Sequence, residues 1–292
     1  MKNEITIQRQ KSRRIKITKN VLSNVMLSLF GLVMAYPLLW MLFSSFKANN
    51  EVFNTTKLLP TIWHFENYIE GWFAFPRQSF TTFFANSFLI SILIVIGSVI
   101  SCTLAAYPFA RLKFPFKNLL FAVLMGTMML PSQVLLIPRY LMFTKMGWTN
   151  SYKPLTIPAF LAQVSGAFFI YLMVQFMRGI PNELSESAVV DGCGHFRIFF
   201  NIILPNCKQP LFSFSIFSFI WSWDDFLNQL IYIDSPPKFT VSLALRMFND
   251  DSAMINWGSL FGISILSILP CLIIFACAQK YFVEGISTTG LK

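Results

Sequence analysis

The sequence predicts an all-α polytopic membrane protein with six transmembrane helices and both termini cytoplasmic. Three observations predict it. The composition is 55% hydrophobic and 12% charged, with 33 Phe in 292 residues, whereas a soluble domain carries about 25% charged residues. Six apolar stretches are long enough to cross roughly 30 Å of hydrocarbon. Lys and Arg are distributed unevenly among the connections between them.

The six stretches are 21–46, 84–110, 119–140, 155–177, 210–233 and 258–279. Several hold Pro or Gly, among them Pro37, Gly97, Pro108, Pro131 and Pro270. Membrane helices tolerate these because neighbouring helices satisfy the freed backbone groups. The run from Val21 to Phe46 is too long for a cleavable signal core and lacks a small-residue cleavage pattern, so it is read as a retained first span. Residues 1–20 are then a basic cytoplasmic tail, and 21–292 the transmembrane domain.

Orientation follows from charge. Of the 23 Lys and Arg, 15 fall in the tail, the second and fourth connections and the C-terminus, against 8 elsewhere. By the positive-inside rule these regions are cytoplasmic. The inner side holds the whole net charge of +10, and the outer side balances to zero. The basic excess therefore describes topology, with no need of a nucleic-acid partner.

Catalysis finds no support in the composition. Cys102, Cys193, Cys207, Cys271 and Cys277 are odd in number, form no CxxC, and mostly sit in apolar runs, as small packing residues do. His64 and His195 lie far apart and suggest no metal site. An intramembrane enzyme would need a nucleophile–base or ligand cluster. A stand-alone secondary transporter would need ionisable groups on several spans or an internal repeat. Neither is visible.

Two connections stand out. Residues 47–83 are a long outer segment with Trp63, Tyr68 and Trp72, expected to be partly folded at the interface. Residues 178–209 are the longest inner loop. In it, Pro181 suits a first helical turn, and Glu183 and Glu186 complement an N-terminal dipole. Leu184, Ala188 and Val189 form a short apolar stripe, and Gly192 and Gly194 break the helix. A second helix carries Phe196, Phe199, Phe200 and Ile203 until Pro205 ends it. Periodicity alone leaves a lipid-surface helix open beside a knob that docks on a partner. The acidic Glu183, Glu186 and Asp191 suit an anionic leaflet poorly.

The pattern Glu-x-Ala-x3-Gly-x9-Ile-x-Leu-Pro, at Glu186, Ala188, Gly192, Ile202, Leu204 and Pro205, decides between them. It resembles the EAA loop of binding-protein-dependent ABC importer permeases; Ser187 stands where a second Ala is usual. Asn86-Ser-Phe-Leu, Ala105 to Pro115, Met129-Leu-Pro-Ser-Gln-Val, Ile180-Pro-Asn-Glu-Leu, Trp223-Asp-Asp-Phe-Leu and Tyr281-Phe-Val-Glu-Gly-Ile resemble the MalG-type branch of sugar permeases. The likeness covers the chain from about residue 20 onward.

The resemblance implies a type I importer permease in the cytoplasmic (inner) membrane of a prokaryote. It implies a second, MalF-like permease, two ATPase subunits and an extracytoplasmic sugar-binding protein as partners. The chain has no GxxxxGK[ST] phosphate loop. ATP and Mg therefore belong to the partner ATPase, and this chain binds no cofactor or metal. The coupling residues implied are Glu186, Ser187, Ala188, Asp191, Gly192, Ile202, Leu204 and Pro205. ATP binding would drive alternating access through this loop, moving a sugar, expected to be an oligosaccharide. The runner-up is a permease of the same class for another solute.

Span five contains Asp224 and Asp225, and an ionised Asp near the bilayer centre costs about 2.5–3.5 kcal/mol. One reading is an interfacial or inter-subunit polar pair. The other places Trp221, Trp223, Asp224, Asp225 and Asn228 along the sugar pathway, because aromatic faces and carboxylates suit pyranose rings and hydroxyls. Asn228-Gln229 departs from the apolar-Pro frequent in the family. The outer connection from Asp234 to Trp257, with Pro236-Pro237 and Asp250-Asp251, reads as a solvated loop. The family analogy would send it into the binding protein, and the tail from Glu284 to Lys292 between the ATPase subunits.

Overall fold

The computed structural model describes residues 2–53, 57–162, 166–250 and 256–289. Asp251 and Lys292 lie outside them. Among the described residues the chain is helical, and the one extended pairing is an isolated bridge between Phe75 and Gln78. The chain divides into two units: Met1–Gly71 with Met254–Ile265, and Trp72–Ala253 with Leu266–Lys292.

The first unit is built on α1 (Lys2–Ser44), which runs without interruption from the basic tail into the first apolar stretch. Its apolar window from Lys19 is unburied in the chain alone. The outer segment that follows is folded around α2 (Glu66–Trp72). Asn67 of α2 donates from its side-chain amide to the carbonyls of Ser45, at 2.9 Å, and Lys47, at 3.0 Å. A helix C-terminus leaves its last carbonyls without intrahelical partners, and Asn67 supplies them. Lys47 is fully buried, and its Nζ donates to the Lys57 carbonyl at 2.7 Å. Rings of Phe46, Trp63, Phe65 and Tyr68 close around this turn. Beside it, Glu51 accepts from the hydroxyl and the backbone N–H of Thr61, and the hydroxyl bond holds its carboxyl below the usual value.

The second unit is organised around α3 (Phe80–Arg111), 32 residues or about 48 Å of helix. Next come α4 (Lys117–Met128), α5 (Leu136–Lys145), α6 (Lys153–Thr156), a 3-10 turn at Ile157–Leu161 and α7 (Gly166–Gly179). The inner loop holds α8 (Glu183–Val190), α9 (His195–Ile198), a π turn at Phe199–Ile203 and α10 (Leu204–Asn206). Then follow α11 (Lys208–Trp223), α12 (Leu227–Tyr232), α13 (Val241–Asp250) and α14 (Trp257–Thr289), the last shared between the units. Helices α7, α11 and α13 and the 3-10 turn all pack on α3.

Among the described residues, four stretches are long and apolar enough to cross a membrane: Lys19–Ser44, Phe80–Arg111, Lys153–Gly179 and Trp257–Gln279. The two other predicted spans are broken helices. Residues 119–140 divide at the Pro131 segment, where α4 stops and α5 restarts. Residues 210–233 divide at Asp224–Phe226. The fourth predicted span, 155–177, also changes form, passing through the 3-10 turn at Ile157–Leu161, with Pro158 its second residue.

The connection expected as a solvated loop is instead folded. Its start is a 3-10 turn at Pro236–Lys238, followed by α13, which buries Val241, Leu243 and Ala244. Its apolar residues recur at helical spacing, so burying one face outweighs the turn signal of Pro236-Pro237. Asn86 of α3 donates to the carbonyls of Pro237 and Phe239, each at 2.9 Å, and the Ser87 hydroxyl accepts from the Val241 N–H. Asn150 works from the other side. Its side-chain oxygen accepts from the N–H groups of Asp234 and Ser235, and its carbonyl accepts from the Lys238 ammonium.

Candidate functional site

Two sites emerge in the second unit, the inner loop and a cavity among broken helices. In the loop, α8 ends in a Schellman motif. The Gly192 N–H donates to the Val189 carbonyl at 3.0 Å, and the Cys193 N–H to the Ala188 carbonyl at 2.9 Å. Gly192 has φ +78°, the left-handed conformation this cap requires. The spacing Ala-x3-Gly is therefore a capping rule: Ala188 occupies the last turn and buries its methyl, while Gly192 turns the chain. Gly194, by contrast, is extended at φ −73°, ψ 162°, so one glycine makes the turn.

Pro181 stands outside α8, which begins at Glu183 with Asn182 as its first flanking residue. Asn182 does not cap with its side chain; that oxygen accepts from the guanidinium of Arg111 instead. Arg111 also donates to the carbonyls of Met177 and Ile180, the latter at 2.5 Å. One side chain from the end of α3 thus holds the exit of α7 and the entrance of α8 together. In the sequence Arg111 is one of the 15 inner-side cations, and nothing local marks its three acceptors.

Pro205 does not end the second helix. The chain widens into the π turn at Phe199–Ile203 and continues through α10, with Pro205 near its start. A proline inside an α-helix removes one bond and clashes with the carbonyl four residues earlier. A wider turn ahead of Pro205 relieves that clash. The chain bends at Cys207 (φ −100°, ψ 16°), and α11 starts one residue later.

The loop has two faces. Ala188, Ile198, Phe199 and Ile203 are buried with Tyr107, Met173 and Met177 in one core. Pointing away are Glu183, Glu186, Ser187, Asp191 and Pro205, together with large apolar groups, Val190 at 87% exposure and Phe196 at 78%. Ile202 and Leu204 lie half-buried between the faces. The expected stripe of Leu184, Ala188 and Val189 is split, since Ala188 faces inward and the other two outward.

The cavity has a volume of about 350 Å³. Part of its wall comes from residues at or beside the breaks in three predicted spans: Ser132 and Arg139 from the third, Pro154 and Pro158 from the start of the fourth, and Trp221, Asp225 and Asn228 from the fifth. Three of the five pathway candidates therefore meet in one space. The Asp225 carboxylate accepts from the Asn228 side-chain amide at 3.0 and 3.1 Å and from its backbone N–H at 3.2 Å. Trp221 is set by contacts with Phe168, Phe169 and Phe217.

Trp223 and Asp224 are not cavity residues. Trp223 is buried, stacked on Phe219, and donates its indole N–H to the Ser267 carbonyl at 2.9 Å. An indole is amphipathic, and packing its face while satisfying its N–H locates it firmly. Asp224 is exposed at the helix break. The neighbouring Gln229 is a brace: buried, it donates to the Ser222 carbonyl and accepts from the hydroxyls of Ser242, at 2.8 Å, and Thr240.

Comparison with known proteins gives the arrangement its context. Residues 97–288 match the family of the binding-protein-dependent transport system inner membrane component. The chain is 33% identical over 268 residues to the probable ABC transporter permease protein YurM of Bacillus subtilis, covering 92% of this chain and 87% of the other. It is 27% identical over 281 residues to the trehalose/maltose transport system permease protein MalG of Thermococcus litoralis, covering 96% and 99%. A solved bacterial ABC transporter involved in the import of the acidic polysaccharide alginate has a chain of the same fold. That chain superposes with a TM-score of 0.79 at 20% identity, over 90% of this chain and 96% of the other. The matched segment runs from within α3 into α14 and so includes the capped loop and every lining residue of the cavity except Ile94. The chain belongs to the family of binding-protein-dependent transport system inner membrane components.

Proposed function

We propose that the chain is the permease subunit of an ATP-driven sugar importer, coupled to separate ATPase subunits through the loop Pro181–Pro205. It is a translocation subunit and not an enzyme. The observation that carries the coupling is the two-faced loop: one face in the core, the other presenting Val190, Phe196 and carboxylates. Large apolar groups held outward mark a contact with protein or membrane, and the exposed carboxylates of Glu183, Glu186 and Asp191 beside them disfavour an anionic leaflet. The trehalose/maltose permease relative supports sugar as the cargo, and an oligosaccharide is the form proposed.

In this reading all six apolar stretches cross the inner membrane, three of them as discontinuous helices with cavity-lining residues at or beside their breaks. Both termini are cytoplasmic, with 1–20 as a basic tail and 21–292 as the transmembrane domain. The partners are a MalF-like permease, two ATPase subunits carrying ATP and Mg, and an extracytoplasmic binding protein. The docking contacts are Glu186, Ser187, Asp191 and the exposed apolar groups. Ala188, Gly192, Ile202, Leu204 and Pro205 shape the loop that presents them.

The test is co-purification with the ATPase and ATP-driven uptake by the reconstituted complex. Glu186→Lys and Gly192→Asp are expected to abolish uptake while leaving membrane insertion intact. Normal ATPase retention and normal uptake in both variants would remove the docking assignment.

A further inference from the structure

The cavity holds opposite charges that do not neutralise each other. Arg139 and Asp225 both line it and make no ion pair with one another. Both lie within electrostatic reach of Tyr232, also on the wall. Asp225 is oriented by the Asn228 amide, which leaves the Asn228 side-chain oxygen as a further acceptor. Trp221, 46% exposed, presents a ring whose neighbours hold its orientation.

The position of the cavity is informative. Three predicted spans are discontinuous, and residues at or beside each break come to the same space. Discontinuous helices in transporters are found where a substrate site is built. A volume of about 350 Å³ falls at the lower end of the usual range for small-molecule sites, roughly 300–1,000 Å³. It suits one or two sugar rings of a longer chain.

The charge pattern selects the ligand. An anionic group would pair with Arg139 but meet the Asp225 carboxylate; a cationic group would meet the reverse. A hydroxyl both donates and accepts, so a polyol satisfies each charge without repulsion from the other. Trp221 adds a face for the apolar side of a pyranose. Specificity then comes from rejection of charged analogues as much as from attraction.

We propose that this chain itself contributes a substrate subsite, formed by Arg139, Trp221, Asp225 and Asn228, that selects an uncharged glycoside over an anionic one. The proposal rests on the sugar-importer reading above.

The test uses the complete transporter in proteoliposomes: this chain, its partner permease, the ATPase subunits and the binding protein. Uptake is measured for a panel of neutral di- and trisaccharides and for the corresponding uronates. Wild type is expected to take up a neutral sugar and exclude its uronate. Asp225→Asn is expected to raise the KM for the neutral sugar roughly ten- to hundredfold and to admit the uronate. Arg139→Gln and Trp221→Leu are expected to raise the same KM without admitting it. Asp224→Asn, one position away and outside the cavity, is expected to change nothing.

Wild-type uptake of a neutral sugar that Asp225→Asn, Arg139→Gln and Trp221→Leu all leave unchanged would overturn the subsite and leave the importer reading standing. Uptake of uronates alone would overturn the charge selection. Should no saccharide of either kind be carried while another solute is, the sugar reading fails, and the subsite with it. Retention of the partner subunits by each variant separates a binding defect from failed assembly.

Discussion

The guanidinium of Arg111 donates to the side-chain oxygen of Asn182, joining the end of α3 to the first turn of the inner loop across 71 positions of sequence. The same group serves the carbonyls of Met177 and Ile180. Arg111 thus supplies donors to the C-terminus of α7 while fixing where α8 begins. Force applied to α8 has a short, polar route into α3, whose opposite end carries Asn86 and Ser87 under the 234–241 segment.

Replacing Arg111 by Ala should loosen that route. A planar fork reaches three acceptors at once, and an ammonium on a flexible stem does not. A coupling loss of about 1–3 kcal/mol corresponds to a 5–150-fold effect. Arg111→Ala is expected to lower ATP-driven uptake within that range, with Arg111→Lys in between. ATPase activity in the absence of binding protein reports on the ATPase alone and should stay near wild type. Unaltered uptake in Arg111→Ala would show that α8 is held by packing.

Gly192 offers a test of backbone against packing. No atom lies within 4 Å of a Cβ placed there, so substitution meets no neighbour and acts through φ +78° alone. For ordinary residues the left-handed conformation costs about 1–2 kcal/mol, less for Asn and more for β-branched residues. The thermal stability of the purified chain should fall in the order Gly192, Asn, Ala, Val. A different order would mean that the loop refolds around a new cap.

Asn86 makes a separate prediction at the far end of α3. Its amide supplies two carbonyls of the Pro237–Phe239 turn. Asn86→Ala leaves both without a protein donor, at a cost of about 1–3 kcal/mol. Hydrogen exchange should quicken in 234–244 and remain unchanged in α8, which lies at the other end of the helix. Equal acceleration in both places would contradict a local clamp.

These cases show what could be read in advance. The inner loop was legible because its chemistry is local: Ala188 and Gly192 stand four apart as one helix cap requires, and Val190 and Phe196 flank the turn. Arg111, Asn86 and Asn150 were not legible, because each acts on backbone far away in sequence and an Arg or Asn beside a span looks like any interfacial residue. Hydropathy also averages over helix breaks. Asp224 and Asp225 sit among Trp and Phe, so span five reads as continuous although the chain leaves the helix there. The segment Asp234–Trp257 was misread for the opposite reason: Pro236-Pro237 signals a turn, but the apolar positions of α13 recur at helical spacing. Trp223 has the aromatic face that suits a pyranose, but its indole N–H is given to the Ser267 carbonyl, a partner 44 positions away that the sequence does not show.

In the first unit, Gly258 and Asn67 are predicted to be energetically coupled. A Cβ at Gly258 would lie 2.3 Å from the Asn67 Nδ2 and 2.8 Å from the Lys47 carbonyl. Neither can give way freely, since Asn67 is holding the Ser45 and Lys47 carbonyls at the end of α1. Gly258→Ala should therefore destabilise by about 1–3 kcal/mol through overpacking. Asn67→Ala should cost a similar amount by leaving buried carbonyls without donors. In the double variant the clash with the amide is gone and only the contact with Lys47 remains, so the combined loss should be smaller than the sum of the two. Thermal denaturation of the four proteins in one detergent measures this directly. Strict additivity would place the strain of Gly258→Ala on the Lys47 backbone alone.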